Sequence, residues 1–325
     1  MQSQTPVRTQ RPVMLISLDF ELMWGVRDHA TRATYGANVL GERHAIPAML
    51  KIFTEFGVRA TWASVGMALA ATKEELIESS PALRPTYKNP LLSSYKYFDE
   101  VGKNESIDPY YLGASLIKTI KETEGQEIGS HTFSHYYCLE PGQTVEQFAA
   151  DMTAAQSIAE RNGLSLKSFV FPRNQRSEEH LNILHQKGVR VFRGNEASWI
   201  HKASPGVKQP ALQRIARLTD HYLNLSGQNV SLPKKHAEMI DVPASRFLRP
   251  FSRRMAPIDP LRLRRITNAM THAAKTGQIF HLWWHPHNFG VDVQQNTAFL
   301  RQVLGHFRNL SDQFGMVSLN MGDFA

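Results

Sequence analysis

Two hydrophobic rhythms alternate along the chain. Val13 to Asp19 (VMLISLD) is a short, β-branched and apolar run, the pattern of a buried strand. A helical spacing follows at Ala45 to Phe56 and stops at Gly57, in the C-cap position. Val58 to Gly66 reads as a second strand, Leu112 to Glu124 as a helix, and Gln126 to His131 as a strand. The same exchange continues with a helix at Thr144 to Asn162, a strand at Lys167 to Phe171, a helix at Ser177 to Lys187 and a strand at Val189 to Phe192. After an interruption it resumes with a helix at Pro260 to Thr276, a strand at Ile279 to Trp284, a helix at Gln294 to Phe314 and a last strand at Met316 to Leu319. Strands that alternate with helices predict an α/β fold, a parallel sheet or barrel with helices outside. Two stretches lose the rhythm, about 80–112 and about 196–259, and read as insertions into one domain spanning 1–325.

Composition narrows the function classes. Hydrophobic residues make up 42% and aromatics 10%, which argues against long disorder. A single cysteine excludes an intrachain disulfide framework and any multi-cysteine metal site, and fits a reducing compartment. The first residues lack the apolar core of a secretory signal, and the longest apolar stretch, Trp62 to Ala71, is about half a membrane span. An integral membrane segment is therefore not expected. The net charge is +8, and arginines crowd Arg246 to Arg265 around one acid, Asp259. Such a surface suits an anionic substrate or a lipid headgroup, and a solvated basic face is the equally simple reading. No nucleic-acid-binding signature accompanies it.

Chemistry-bearing residues gather at the predicted strand ends, where active sites of parallel sheets sit. His131 and His135, in EIGSHTFSH, are spaced to share a metal on one side of a helical turn. Asp19 and Glu21 lie two apart, so both carboxylates face one site. Two carboxylates and two histidines suit a His–His–carboxylate zinc centre plus one free base. His281, His285 and His287 form a third cluster beside Trp283 and Trp284, and a histidine there can protonate a leaving group. FPRNQ, Phe171 to Gln175, occupies another strand end, where Arg173 could orient a carboxylate.

Together these pieces resemble the polysaccharide deacetylase family, the NodB-homology hydrolases, over roughly Val13 to Phe289. SLDFE looks like the family's first motif, GSHTFSH like its second, FPRNQ stands at its third, and HLWWHP is similar to its last. The resemblance implies an irregular (β/α)7 barrel carrying Zn2+. It implies Asp19 as general base, Glu21, His131 and His135 as metal ligands, His285 as general acid and Arg173 as an accessory to the base. The gap at Phe20 leaves the Asp19 and Glu21 roles exchangeable. Trp24, Asn174, Trp284, His287, Arg246 and Arg249 are expected at the substrate. The implied activity is removal of an N-acetyl or N-formyl group from an amino sugar, anionic or linked to a lipid or nucleotide. The expected setting is cytoplasmic surface-glycan or lipopolysaccharide O-antigen synthesis, with a peripheral contact at the inner face of the membrane. The alternatives are a non-sugar amide hydrolase on the same scaffold and a catalytically silent protein that binds a glycan or membrane surface.

Overall fold

In the computed structural model, which describes residues 5–6, 9–196, 198 and 211–325, the alternation is realised as one sheet wrapped by helices. The strands are β1 (Thr5–Pro6), β2 (Val13–Phe20), β3 (Ala60–Ser64), β4 (Gln126–Ser130), β5 (Ser168–Phe169) and β6 (Val191–Phe192). They continue as β7 (Lys234–His236), β8 (Met239–Asp241), β9 (Arg246–Phe247), β10 (Ile279–Trp284) and β11 (Val317–Leu319). The main helices are α1 (Arg32–Phe56), α2 (Lys73–Glu78), α3 (Ala114–Glu122), α4 (Val145–Arg161), α5 (Glu178–Gln186), α6 (Ala211–Asp220), α7 (Asp259–Thr276) and α8 (Val293–Phe314). Strand order is β1-β7-β8-β6-β5-β4-β3-β2-β10-β9, with β11 beside the first half of β2. Every neighbour from β8 to β9 is parallel.

The run from Met239 to Leu248 closes this sheet into an irregular barrel. At its start Val242 N–H donates to Phe192 O (3.0 Å) and Ala244 N–H to Gly194 O (2.9 Å). At its end Ser245 N–H donates to His281 O and Leu248 N–H to Trp283 O, both at 2.8 Å. One run thus changes partner from β6 to β10, so β8 and β9 are two halves of a single barrel stave. With β2, β3, β4, β5, β6 and β10 it makes the seven-stave barrel that the family resemblance implied.

All eight residues of β2 are buried, because each face meets a different core. Met14, Ile16, Leu18 and Phe20 face the helix layer and join its main cluster. Val13 and Leu15 point inward with Ala63, Val170, Val191 and Val242. Above that apolar plug the inward positions turn polar, with Ser17 and Asp19 on β2 and His281 on β10. The barrel is dry at one end and chemical at the other.

Some boundaries differ from the sequence expectation. Helix α1 begins at Arg32 rather than Ala45, started by a capping box at Thr31. Gly36, Gly41 and the charged Glu42–Arg43 pair break the apolar stripe that would have announced it. The 196–259 stretch holds α6, β7, β8 and β9, while 197 and 199–210 lie outside the described residues. The 80–112 stretch carries short 3-10 turns at Pro90–Leu92 and Ser94–Glu100.

Helix α1 meets the turn after β10 backbone against backbone. A Cβ at Gly290 would lie 1.9 Å from Asn38 O, and one at Gly41 would lie 1.9 Å from Gly290 O. Gly290→Ala should therefore destabilise the protein by roughly 1–3 kcal/mol through overpacking. Gly305→Ala, on an open part of α8, should be neutral or stabilising by about 1 kcal/mol. Urea unfolding of the two variants checks the opposite signs, and equal effects would contradict the close approach.

Candidate active site

Several strand ends deliver the side chains to one place. Glu21 follows β2 directly, in front of a 3-10 turn at Leu22–Gly25. Its carboxylate lies where any side chain at Gly25 would stand, since a Cβ there would be 1.7 Å from Glu21 Oε2. His131 leaves β4, and His135 sits four residues on, in an irregular turn rather than the helical one that the spacing suggested. Thr132 and His135 both take left-handed backbone, with φ of 64° and 56°. Such conformations cost energy for residues with a Cβ and persist only where the surroundings impose them. Here Asp151 of α4 imposes them, accepting Phe133 N–H (2.7 Å), Ser134 N–H (3.2 Å) and the Ser134 hydroxyl. From the other side Tyr87 OH accepts Tyr137 N–H at 2.8 Å, and Ser94 bonds to Ser134 O. The first irregular stretch is thus a clamp on the histidine turn.

The result is a convergence of three groups. His131 Nε2 and His135 Nε2 lie 3.0 and 3.1 Å from the same oxygen, Glu21 Oε1. His131 Nδ1–H donates to Val170 O at 2.8 Å, which fixes that tautomer and leaves Nε2 as a lone pair aimed at a carboxylate. His135 Nδ1 is held by Tyr137 OH at 3.1 Å, with the buried Arg27 guanidinium 3.4 Å away. Burial pushes the His135 pKa down to about 4, so the ring is neutral at neutral pH. Burial would raise the Glu21 carboxyl, but the surrounding imidazoles outweigh it and hold it well below the usual range. A carboxylate and two imidazole Nε2 atoms converging on one point make a donor set that a divalent cation satisfies, and this set fits zinc.

Asp19 has a different partner. Arg193, just past β6, grips it with both nitrogens, NH1 to Oδ1 at 2.7 Å and NH2 to Oδ2 at 2.8 Å. Burial would raise the Asp19 carboxyl, but the Arg193 charge keeps it below its ordinary value. The guanidinium lies over the Trp283 ring, 4.3 Å from its centroid. Its NH1 also donates to Ser17 Oγ at 3.0 Å. Ser17 in turn donates to His281 Nε2 (2.9 Å), whose Nδ1–H donates to Val242 O (3.1 Å). The chain of donors runs unbroken from a backbone carbonyl to the Asp19 carboxylate. His285 Nε2 stands between the two carboxylates, 3.8 Å from Asp19 Oδ2 and 3.6 Å from Glu21 Oε1, and is partly exposed. Its ring stacks on His287 at 5.0 Å.

These groups open into a pocket of about 450 Å³, walled also by Tyr35, Phe247, Trp283 and Asn288. Residues 34–192, roughly half of the chain, match the family model described as Polysaccharide deacetylase. Over these residues the chain belongs to the polysaccharide deacetylase family. A Mycobacterium smegmatis protein classed as a polysaccharide deacetylase superposes with a TM-score of 0.59 at 15% identity, covering 98% of this chain and 91% of that one. Puue allantoinase gives 0.55 at 12% identity, covering 98% and 92%. A Pseudomonas aeruginosa PAO1 protein of the deacetylase class gives 0.54 at 11% identity, covering 96% and 89%. At these identities the likeness shows the fold alone. No curated protein matches the chain.

Within this deacetylase-family frame the expected site residues separate into two groups. Asp19, Glu21, His131, His135, His285, His287, Arg173 and Asn174 border or underlie the pocket. Arg173, however, pairs with Asp28, lies 3.6 Å from Glu140 and stacks on Tyr137 instead of reaching Asp19. Asn174 Oδ1 is 3.4 Å from Arg193 NH2, and both Arg173 and Asn174 have left-handed backbone. Trp24 and Trp284 are fully buried and away from the pocket. Trp24 donates to Tyr111 O, and Trp284 packs on Phe53 and Phe289, because β10 alternation sends Trp283 inward instead. Arg246 is buried against Asp220 at 3.0 Å, with Arg265 on the same carboxylate at 3.5 Å. Arg249 is half-buried, outside the pocket lining, and its carbonyl accepts from Arg262. Arg193 and Asp151 are the functional positions that sequence reasoning missed, while Trp283 was named beside the histidine cluster but not expected at the substrate. For Arg193 the signal was its place directly behind a predicted strand.

Burial also pushes the His281 pKa down to about 3. Its folded value lies below its unfolded value, so the ring's contribution to stability is lost as pH falls from about 6.5 toward the folded value. Imidazole nitrogen NMR should show His281 as the neutral Nδ1–H tautomer from pH 8 down to pH 5. Protonation with a midpoint near 6.5 would contradict the donor chain.

Proposed function

We propose that the protein is a zinc-dependent deacetylase that removes an N-acetyl or N-formyl group from an amino sugar in surface-glycan synthesis. The observation that carries this reading is the division of the pocket. Glu21, His131 and His135 converge on one side, while the Arg193-held Asp19 and His285 face the same space. Glu21, His131 and His135 would hold the metal, which when bound lowers the pKa of a water and polarises an amide carbonyl. Asp19 is the better candidate for base, since its two oxygens are already engaged by Arg193. That pairing fixes the carboxylate's direction and keeps it ionised, so it accepts a proton from the attacking water. His285 donates a proton to the departing amine, from a ring nitrogen that stands 3.8 Å from Asp19 and 3.6 Å from Glu21 at the pocket. Trp283 and Phe247 give the pocket an aromatic wall of the kind that stacks on a sugar face. One catalytic domain spanning the chain, working in the cytoplasm, is part of this reading.

The direct test is release of acetate or formate from nucleotide-linked and lipid-linked acylamino sugars by zinc-loaded protein. Asp19→Asn and His285→Ala should each lower kcat by about 100- to 10,000-fold while retaining metal. Arg193→Gln should lower kcat and move the acidic limb of the pH–rate profile upward, because Asp19 loses the charge that depresses its pKa. Metal loss in Asp19→Asn would make Asp19 the ligand, and wild-type turnover in His285→Ala would remove it as the acid.

A further inference from the structure

Exposed aliphatic side chains are scattered over most of the molecule but concentrated in one place. Ile215 (61% exposed) and Leu218 (37%) lie one turn apart on α6, and Leu223 (54%) and Leu225 (52%) follow in the next turn. Arg214 is exposed beside them. Asp220 anchors the segment from beneath. It is buried on Arg246 and Arg265, and it accepts the Leu225 and Ser226 amides. The leucines therefore point outward from a braced loop rather than from a fraying end.

Position and charge indicate what covers them. The barrel strand that precedes the segment, β6, ends on the side of the barrel that carries the pocket. His221 touches Phe247, a pocket wall, with ring centroids 6.1 Å apart. The loop leaving β9 at the same end exposes Arg253 and Arg254, and α7 exposes Leu261 and Arg264. The acids here, Asp220 and Asp259, are turned to arginine partners. A rim of aliphatic tips among exposed guanidinium groups, of which Arg253 lies 3.8 Å from Asp292, complements an anionic bilayer, where leucines enter the acyl boundary and arginines meet phosphate.

We infer that this rim docks the protein on an anionic membrane surface, with the pocket mouth beside the headgroups. Given the deacetylase reading, on which this consequence rests, the substrate is an amino sugar carried on a membrane lipid. Among the described residues no helix is long and apolar enough to cross a membrane, so the contact is peripheral.

Vesicle sedimentation tests the docking without any turnover, so it stands or falls separately from the proposed activity. The full chain at 0.15 M salt should pellet with phosphatidylglycerol-containing vesicles and stay in solution with phosphatidylcholine alone. Leu223→Ser with Leu225→Ser should weaken this at least tenfold. Arg214→Gln with Arg264→Gln should weaken it roughly 30-fold. The control pair Leu83→Ser with Ile107→Ser, exposed elsewhere, should bind like wild type. No pelleting with the anionic vesicles, or equal loss in the control pair, would overturn the inference. So would self-association that the leucine pair abolishes in the absence of vesicle binding, which would make the rim a contact between copies.

Discussion

A carboxylate buried inside a barrel is stable only when an opposite charge is buried with it. Asp19 and Arg193 meet that requirement across the barrel, one near the end of β2 and the other just past β6. An isolated ion there would cost several kcal/mol, and removing one partner leaves that cost uncompensated. The pair therefore constrains everything around it. Ser17 takes a second hydrogen bond from Arg193 NH1 and passes it on to His281, Trp283 covers the guanidinium face, and the stave from Met239 to Leu248 supplies the carbonyl that ends the chain. The closure of the barrel and the orientation of Asp19 are one hydrogen-bonded system.

With Asp19 committed to Arg193, Glu21 is the carboxylate left to meet the two histidines. The one-residue gap at Phe20 serves this division. Phe20 is fully buried in the helix-side core, so the strand ends on an apolar anchor and the chain turns before Glu21. Asp151, Tyr87 and Ser94 then hold the histidine turn in a backbone conformation it would not adopt alone. Left-handed residues follow the strand ends at Leu22, Thr132, His135, Arg173 and Asn174, so strain is concentrated there and offset by the buried polar contacts around them.

Periodicity alone made the alternating strands and helices legible, because buried parallel strands and their covering helices have distinct spacings, while the choice of a barrel over an open sheet came from the motifs' resemblance to the family. The acids and histidines at strand ends were legible too, since alternation decides which residues share a face. The choice of Arg193 over Arg173 was not. It depends on which of two neighbouring strands aims its arginine inward, and the left-handed turn at Arg173 sends that side chain to Asp28 instead. Trp24 and Trp284 show the same limit, as an aromatic next to a motif is as readily core as pocket. Arg246 looked like surface charge in sequence and is a buried brace, because its partner Asp220 lies in a segment with no readable period. The match to the deacetylase family model covers 34–192, so it takes in the histidine pair and leaves Asp19, Glu21, Arg193 and His285 to the geometry.

The central claim is that Glu21, His131 and His135 bind the metal while Asp19 stays with Arg193. Anomalous diffraction at the zinc edge from metal-loaded crystals tests it most directly. One strong peak is expected about 2.0–2.2 Å from His131 Nε2, His135 Nε2 and a Glu21 oxygen, with the Asp19–Arg193 pair intact. A peak ligated by Asp19 with Arg193 released, or no peak among these side chains, would contradict it.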